Sequence, residues 1–260
     1  GMVKKVQLSA FKNVRSQGIK AIVLKEGDYL VGAAQTGGAD DIMLFSNLGK
    51  AIRFNEYWEK SGNDEAEDAD IETENEDSDG LDDENAENAL PSGKHGVRPS
   101  GRGSGGLRGM RLPADGKIVS LITFAPEAEQ SDLQVLTATA NGYGKRTPIA
   151  DYSRKNKGGQ GNIAINTGER NGDLVAATLV SETDDLMLIT SGGVLIRTKV
   201  EQIRETGRAA AGVRLINLDE GETLVSLERV AEEAEDEAAL ESDAAENQVV
   251  EAEDTPSQES

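Results

Sequence analysis

Internal repetition constrains this 260-residue chain more than any other feature. Three segments share one pattern: DDIMLFSNLGKAIRF (40–54), LQVLTATANGYGKRT (133–147) and DLMLITSGGVLIRT (185–198). Each is a β-rich apolar run, a turn with glycine at Gly49, Gly142 or Gly193, and a second short strand that carries an Arg. A second pattern recurs between them, in 18–36, 106–124, 161–180 and 212–230, with turns near Gly27, Gly116, Gly172 and Gly221. Val, Ile, Leu and Thr alternate there with small or polar residues, which is strand periodicity. Units of about 50 residues with four short strands each predict an all-β chain of propeller-like blades rather than helix pairs. The units fall near 1–36, 40–128, 133–183 and 185–230, and together predict one β domain over 1–230. The first is incomplete: GMVKKV aligns with a second strand, with Gly1 in the place of Gly49, so the chain is expected to have been cut from a longer one inside a repeat.

Spacing also locates an insertion. Gly142 and Gly193 lie 51 residues apart, but Gly49 and Gly142 lie 93 apart. Most of the excess is residues 61–93, which hold 14 acids and no base, and residues 231–260 add 12 acids and no base. Sparse apolar residues and like-charge repulsion predict that both are disordered, because burial cannot offset the entropy of ordering them. They are either solubilising segments or mimics of nucleic-acid charge that compete for a basic surface. The net charge of −21 therefore misleads: outside these two segments 22 acids face all 27 bases.

Those bases gather in the loops between the two patterns, FKNVRSQGIK (11–20), VRPSGRGSGGLRGMR (97–111), DYSRKNKGGQGN (151–162) and IRETGRAAAGVR (203–214). The candidate phosphate contacts in them are Lys12, Arg15, Lys20, Arg98, Arg102, Arg108, Arg154, Lys155, Lys157, Arg204 and Arg208. Lys4, Lys5, Arg53, Lys145, Arg146, Arg197 and Lys199 join them from the second strands. Stacked blades would bring equivalent positions into one curved basic band, which suits a phosphate backbone followed around an arc. Neighbouring glycines, Gly158, Gly159 and Gly161 among them, would let backbone N–H groups approach phosphate. No recognition helix, zinc-finger spacing or RNP-type aromatic pattern is present, so the expected contacts read phosphate and deformability rather than base sequence.

Other chemistry is excluded by residue type. There is no Cys and a single His, His95, so neither a thiolate nor a His-pair metal site can form. No GxxxxGK[ST] loop, EF-hand loop or nucleophile triad is found, and no metal is expected. No apolar run approaches a membrane span and no signal-peptide pattern opens the chain.

GMVKKVQLSAF (1–11), DDIMLFSNLGKAIRF, LTATANGYGKRTPIADY (136–152), LMLITSGGVLIRT and GVRLINLDEGETLVSLERVAEE (212–233) resemble the C-terminal domain of the bacterial DNA gyrase A subunit. The resemblance covers essentially the whole repeat region and implies the last four blades of a β-pinwheel whose blades exchange strands. It implies a domain that wraps duplex DNA non-specifically on a basic rim and so supports ATP-dependent negative supercoiling by a type IIA topoisomerase. The family's Gln-(Arg/Lys)-Arg-Gly-Gly-(Arg/Lys)-Gly heptapeptide lies in a blade absent here. Its nearest local equivalent, Lys155-Asn156-Lys157-Gly158-Gly159-Gln160-Gly161, keeps one base, the Gly pair and the final Gly. By the resemblance this fragment catalyses nothing and needs no cofactor. ATP and Mg belong to the gyrase holoenzyme, in the bacterial cytoplasm at the nucleoid. The other partners there are the gyrase B subunit together with the rest of the gyrase A subunit. The alternatives are the equivalent domain of topoisomerase IV and a protein-binding RCC-type propeller. The latter needs a repeated apolar or aromatic docking face, whereas one Trp (Trp58) and four Tyr form no per-blade set.

Overall fold

A computed structural model describes residues 1–14, 16–57 and 96–231. The acidic segments expected over 61–93 and 231–260 (Ala231 apart), Arg15, Trp58 and His95 lie outside the described residues. Residues Gly1–Val230 form one compact unit.

All regular structure among the described residues is β, joined by short 3-10 turns. The strands are β1 (Met2–Val3), β2 (Asp41–Ser46), β3 (Lys50–Asn55), β4 (Leu107–Arg108), β5 (Ile118–Phe124), β6 (Gln134–Thr139), β7 (Tyr143–Pro148), β8 (Asn162–Ile163), β9 (Leu174–Val180), β10 (Asp185–Thr190), β11 (Leu195–Lys199), β12 (Val213–Arg214) and β13 (Leu224–Val230). They make four antiparallel sheets ordered β1–β4, β5–β2–β3–β8, β9–β6–β7–β12 and β13–β10–β11. The hairpins β2–β3, β6–β7 and β10–β11 form where the first repeat pattern placed them, with Gly49, Gly142 and Gly193 at positive φ in the turns.

The second pattern is not a hairpin. Its long strand (β5, β9 or β13) pairs with the first strand of its own unit, while its short strand (β4, β8 or β12) pairs with the second strand of the preceding unit. Three of the four sheets are therefore closed on their outside by two residues borrowed from the next unit, the strand exchange of a pinwheel, while β11 has no such partner among the described residues. Strand β9 packs between β5 and β13, so these long strands form the inner side of the stack and the borrowed strands its outer rim.

Residues 18–36, expected as strands, form none. The reason is topological: in the later units those strands pair with a first strand of the same unit and with the preceding unit, and unit 1 contains neither edge. Unpartnered, Val23, Leu24, Tyr29, Leu30 and Val31 stay exposed.

Alternation along the strands distributes the core between blades. Met43 and Phe45 face one cluster with Ile122, Val135, Tyr152 and Ile165, while Ile42 and Leu44 face another with Ile52, Phe54, Val97 and Met110. Strand β2 is thus buried on both faces. The third cluster joins Leu136 and Ala138 of β6 to Leu186 and Leu188 of β10, and there β10 buries alternate residues only.

Candidate nucleic-acid interface

The rim is built at the joints where one unit lends its strand to another. At each joint the borrowed segment first touches the preceding blade through a parallel bridge, Lys5 with Pro99, Arg53 with Arg154 and Arg146 with Glu205. The amide of the next residue then donates to the same strand: Ser100 to the Lys5 carbonyl at 2.9 Å, Lys155 to Arg53 at 2.7 Å and Thr206 to Arg146 at 2.9 Å. A turn follows, and a glycine at positive φ (Gly106, Gly161 or Gly212) leads into β4, β8 or β12. Three residues beyond each bridge stands a base, Arg102, Lys157 or Arg208. All three are half-buried at the same place in successive outer turns. Lys12 and Lys20, from the first loop, are exposed.

Arg53, Lys145 and Arg146, expected on the outer face, are instead buried inside the joints. Arg53 gives Asp41 hydrogen bonds of 2.7 and 2.5 Å, pairs with Glu129 at 2.7 Å, and lies 5.2 Å from the centre of the Phe124 ring. Its remaining N–H donates to the carbonyls of Tyr152 and Ile149. Arg146 repeats the arrangement, donating to the carbonyl of Ile203 at 2.5 Å, to Gln134 at 3.3 Å and to Glu182 at 3.0 Å. Lys145 donates to the carbonyls of Gly207 and Arg208, and burial pulls the pKa of its ammonium down to about 8. A buried cation needs such partners because desolvation otherwise outweighs its charge.

Three more predicted contacts serve the joints from half-buried positions. Lys4 donates to the carbonyls of Arg102, Ser104 and Ala21 at 2.6, 2.8 and 3.0 Å. Burial lowers its pKa, with Arg102 adding to the effect. Lys5 donates to the Glu56 carbonyl at 2.8 Å and faces its carboxylate at 3.4 Å. Arg154 pairs with Asp41 at 2.9 Å.

Elsewhere Arg108 and Arg204 are exposed, and Arg98 and Lys155 half-buried. Arg197 is exposed but paired with Asp185 at 2.5 Å, and Lys199 stands 4.0 Å from Glu201. Arg102 also donates to the Lys20 carbonyl at 3.2 Å, tying the first loop to the second. Burial lowers the pKa of Lys157.

Gly158, Gly159 and Gly161 contact the protein's own backbone. The Gly158 amide donates to the Gly109 carbonyl at 2.7 Å, and the Gly159 carbonyl accepts from Arg111 at 2.8 Å. A Cβ on Gly161 would stand 2.5 Å from the Ala51 carbonyl. Gly158 and Gly161 are at positive φ and bring the loop against the protein's own backbone; Gly159 is exposed. Among the described residues no group of three His, Cys, Asp or Glu could hold a metal ion, and no helix is long and apolar enough to cross a membrane.

Sequence reasoning missed Arg170 and Arg214, which flank Tyr143 on the third joint at 4.4 and 5.3 Å from the ring centre. The three lie far apart in sequence, and no spacing signal connects them.

Comparison with known proteins agrees with this architecture. The family described as "DNA gyrase C-terminal domain, beta-propeller" matches residues 1–36, 40–57, 95–125, 134–181 and 184–231. The chain is 92% identical over 235 residues to the DNA gyrase A subunit of Neisseria gonorrhoeae, covering 90% of this chain and 25% of that protein. It is 38% identical over 237 residues to the DNA gyrase A subunit of Escherichia coli, covering 91% and 22%. It thus spans about a quarter of the length of these relatives. Two solved structures share the fold. One is a DNA topoisomerase IV C-terminal domain (TM-score 0.68, 21% identity, 95% of this chain and 64% of that one). The other is a DNA gyrase A C-terminal domain (TM-score 0.64, 22% identity, 89% and 63%). With its exchanged-strand blades and a matching family sequence along every one of them, the chain belongs to the DNA gyrase C-terminal domain, beta-propeller family.

Proposed function

We propose that this chain binds duplex DNA without sequence preference and wraps it along the outer rim, as the C-terminal part of a gyrase A subunit. The observation that supports this most is the recurrence of Arg102, Lys157 and Arg208 at one turn position in successive joints. A phosphate backbone is a regular array of single charges, so bases repeated at blade spacing engage it without reading sequence. Among the described residues there is no α-helix to enter a groove. In the holoenzyme the wrapped DNA presents a second segment for strand passage, and ATP with Mg on the B subunit drives negative supercoiling at the nucleoid. This fragment supplies the wrap and no catalytic group.

The test is fluorescence anisotropy of a labelled duplex of about 50 bp titrated with the chain over a salt series, where each neutralised phosphate contributes about −0.9 to the log–log slope. Engagement of at least the three turn bases predicts a slope of about −2.7 or steeper. Absence of binding at low salt contradicts the proposal.

A further inference from the structure

The third joint carries a feature the others lack. Tyr143, the first residue of β7, pairs across the exchanged strand with Arg214 of β12. The equivalent pairs are Met2 with Arg108 and Lys50 with Ile163, each with one base. At Tyr143 there are two. Arg214 donates to the phenol oxygen at 2.7 Å, and Arg170 lies over the ring at 4.4 Å from its centre. The hydrogen bond from Arg214, followed by that from Arg170, holds the Tyr143 hydroxyl below its usual pKa.

The backbone segments that carry both arginines are held by side-chain hydrogen bonds. Arg170 sits in the turn closed by the Gly168–Gly172 bridge. The Asn141 side-chain amide donates to the carbonyls of Glu169 and Arg170, both at 3.0 Å. Buried Asn171 donates to the Ala211 carbonyl at 2.7 Å, in the loop that delivers β12 and Arg214. The two arginines thus come from different units but belong to one hydrogen-bonded joint. Both are exposed, and among the described residues neither pairs with a carboxylate. Two like charges held on one aromatic ring repel each other, and a bound anion would offset that. A planar guanidinium pair presents parallel N–H donors to phosphate oxygens.

We propose that Arg170 and Arg214, oriented by Tyr143, form a phosphodiester-binding site on the rim of the third joint, an anchor for duplex DNA beyond the turn bases. The inference rests on the DNA-binding reading above. Its test is the same salt-series titration on the full 260-residue chain carrying Arg170→Gln and Arg214→Gln together. Loss of two phosphate contacts makes the slope shallower by about 1.8 and weakens low-salt binding on the order of tenfold. Arg170→Lys with Arg214→Lys keeps the charge and restores the slope while recovering affinity only in part, because ammonium lacks the planar fork. Arg170→Glu alone, in an exposed turn, gives the same direction should the paired glutamines unfold the joint. An unchanged slope and affinity in a variant with the parent's melting temperature overturns the site and leaves the DNA-binding reading standing. A parent chain that fails to bind DNA at low salt removes both.

Discussion

Arg53 and Arg197 hold the same position in two blades, opposite Met43 and Met187, and each pairs diagonally with the aspartate at the start of that neighbouring strand, Asp41 or Asp185. The side chain of Arg53 is 1% exposed and that of Arg197 63%. Phe124 and Glu129 cover part of Arg53, and the following unit covers the rest. At Arg53 the next unit lays Tyr152, Arg154 and β8 over the strand, whereas among the described residues nothing covers the outer edge of β11. A rim ion pair becomes the centre of a buried network once a neighbour lends its loop. The same neighbour presents the turn base, so burial of one cation and display of the next are two results of a single exchange.

The largest effect is expected at the arginine itself. Arg53→Ala leaves buried Asp41 with Arg154 as its remaining cation and Asn55 as a neutral donor, and should destabilise the chain by about 3–5 kcal/mol in urea unfolding. Arg197→Ala should cost about 1 kcal/mol or less. Equal losses would mean that the covering loop adds nothing. Next come the turn glycines. A Cβ at Gly49 would collide with the Ile165 carbonyl, while one at Gly193 meets nothing within 4 Å. Gly193→Ala should therefore show only the conformational penalty, about 1–2 kcal/mol, and Gly49→Ala clearly more.

The smallest effect is electrostatic. Lys145 titrates near a pH of about 8 when folded and at its ordinary, higher value when unfolded. Between those values the unfolded chain binds the extra proton, so stability rises with pH, by at most about 1.4 kcal/mol per unit for one group. Below the folded value the burial penalty is fully present. Lys145→Met should flatten the pH dependence of thermal unfolding between the folded and unfolded values, and an unchanged slope in that variant would contradict the assignment.

These contrasts explain what could be read in the sequence. Hairpins β2–β3, β6–β7 and β10–β11 were legible because alternation and a turn glycine are local signals. Exchange of β4, β8 and β12 could not be read from periodicity, since a strand of two residues has no period and its partner lies in another unit; it entered only through the family resemblance. The same limit applies to the interface. Ile52-Arg53 and Ile196-Arg197 are identical dipeptides in similar strands, and only the packing of a following unit separates structural arginine from surface arginine. Arg102, Lys157 and Arg208 were found because loop composition repeats. Arg170, Tyr143 and Arg214 were not, because a turn and two strands from different units bring them together.

The most direct test of the strand exchange is amide hydrogen exchange resolved to the peptides carrying β3, β7 and β11. Closed joints predict that residues 50–55 and 143–148 are protected to near the global stability, while 195–199 exchange at least about tenfold faster at equal conditions. Equal protection of all three strands would contradict the claim that a neighbour's borrowed strand is what seals each blade.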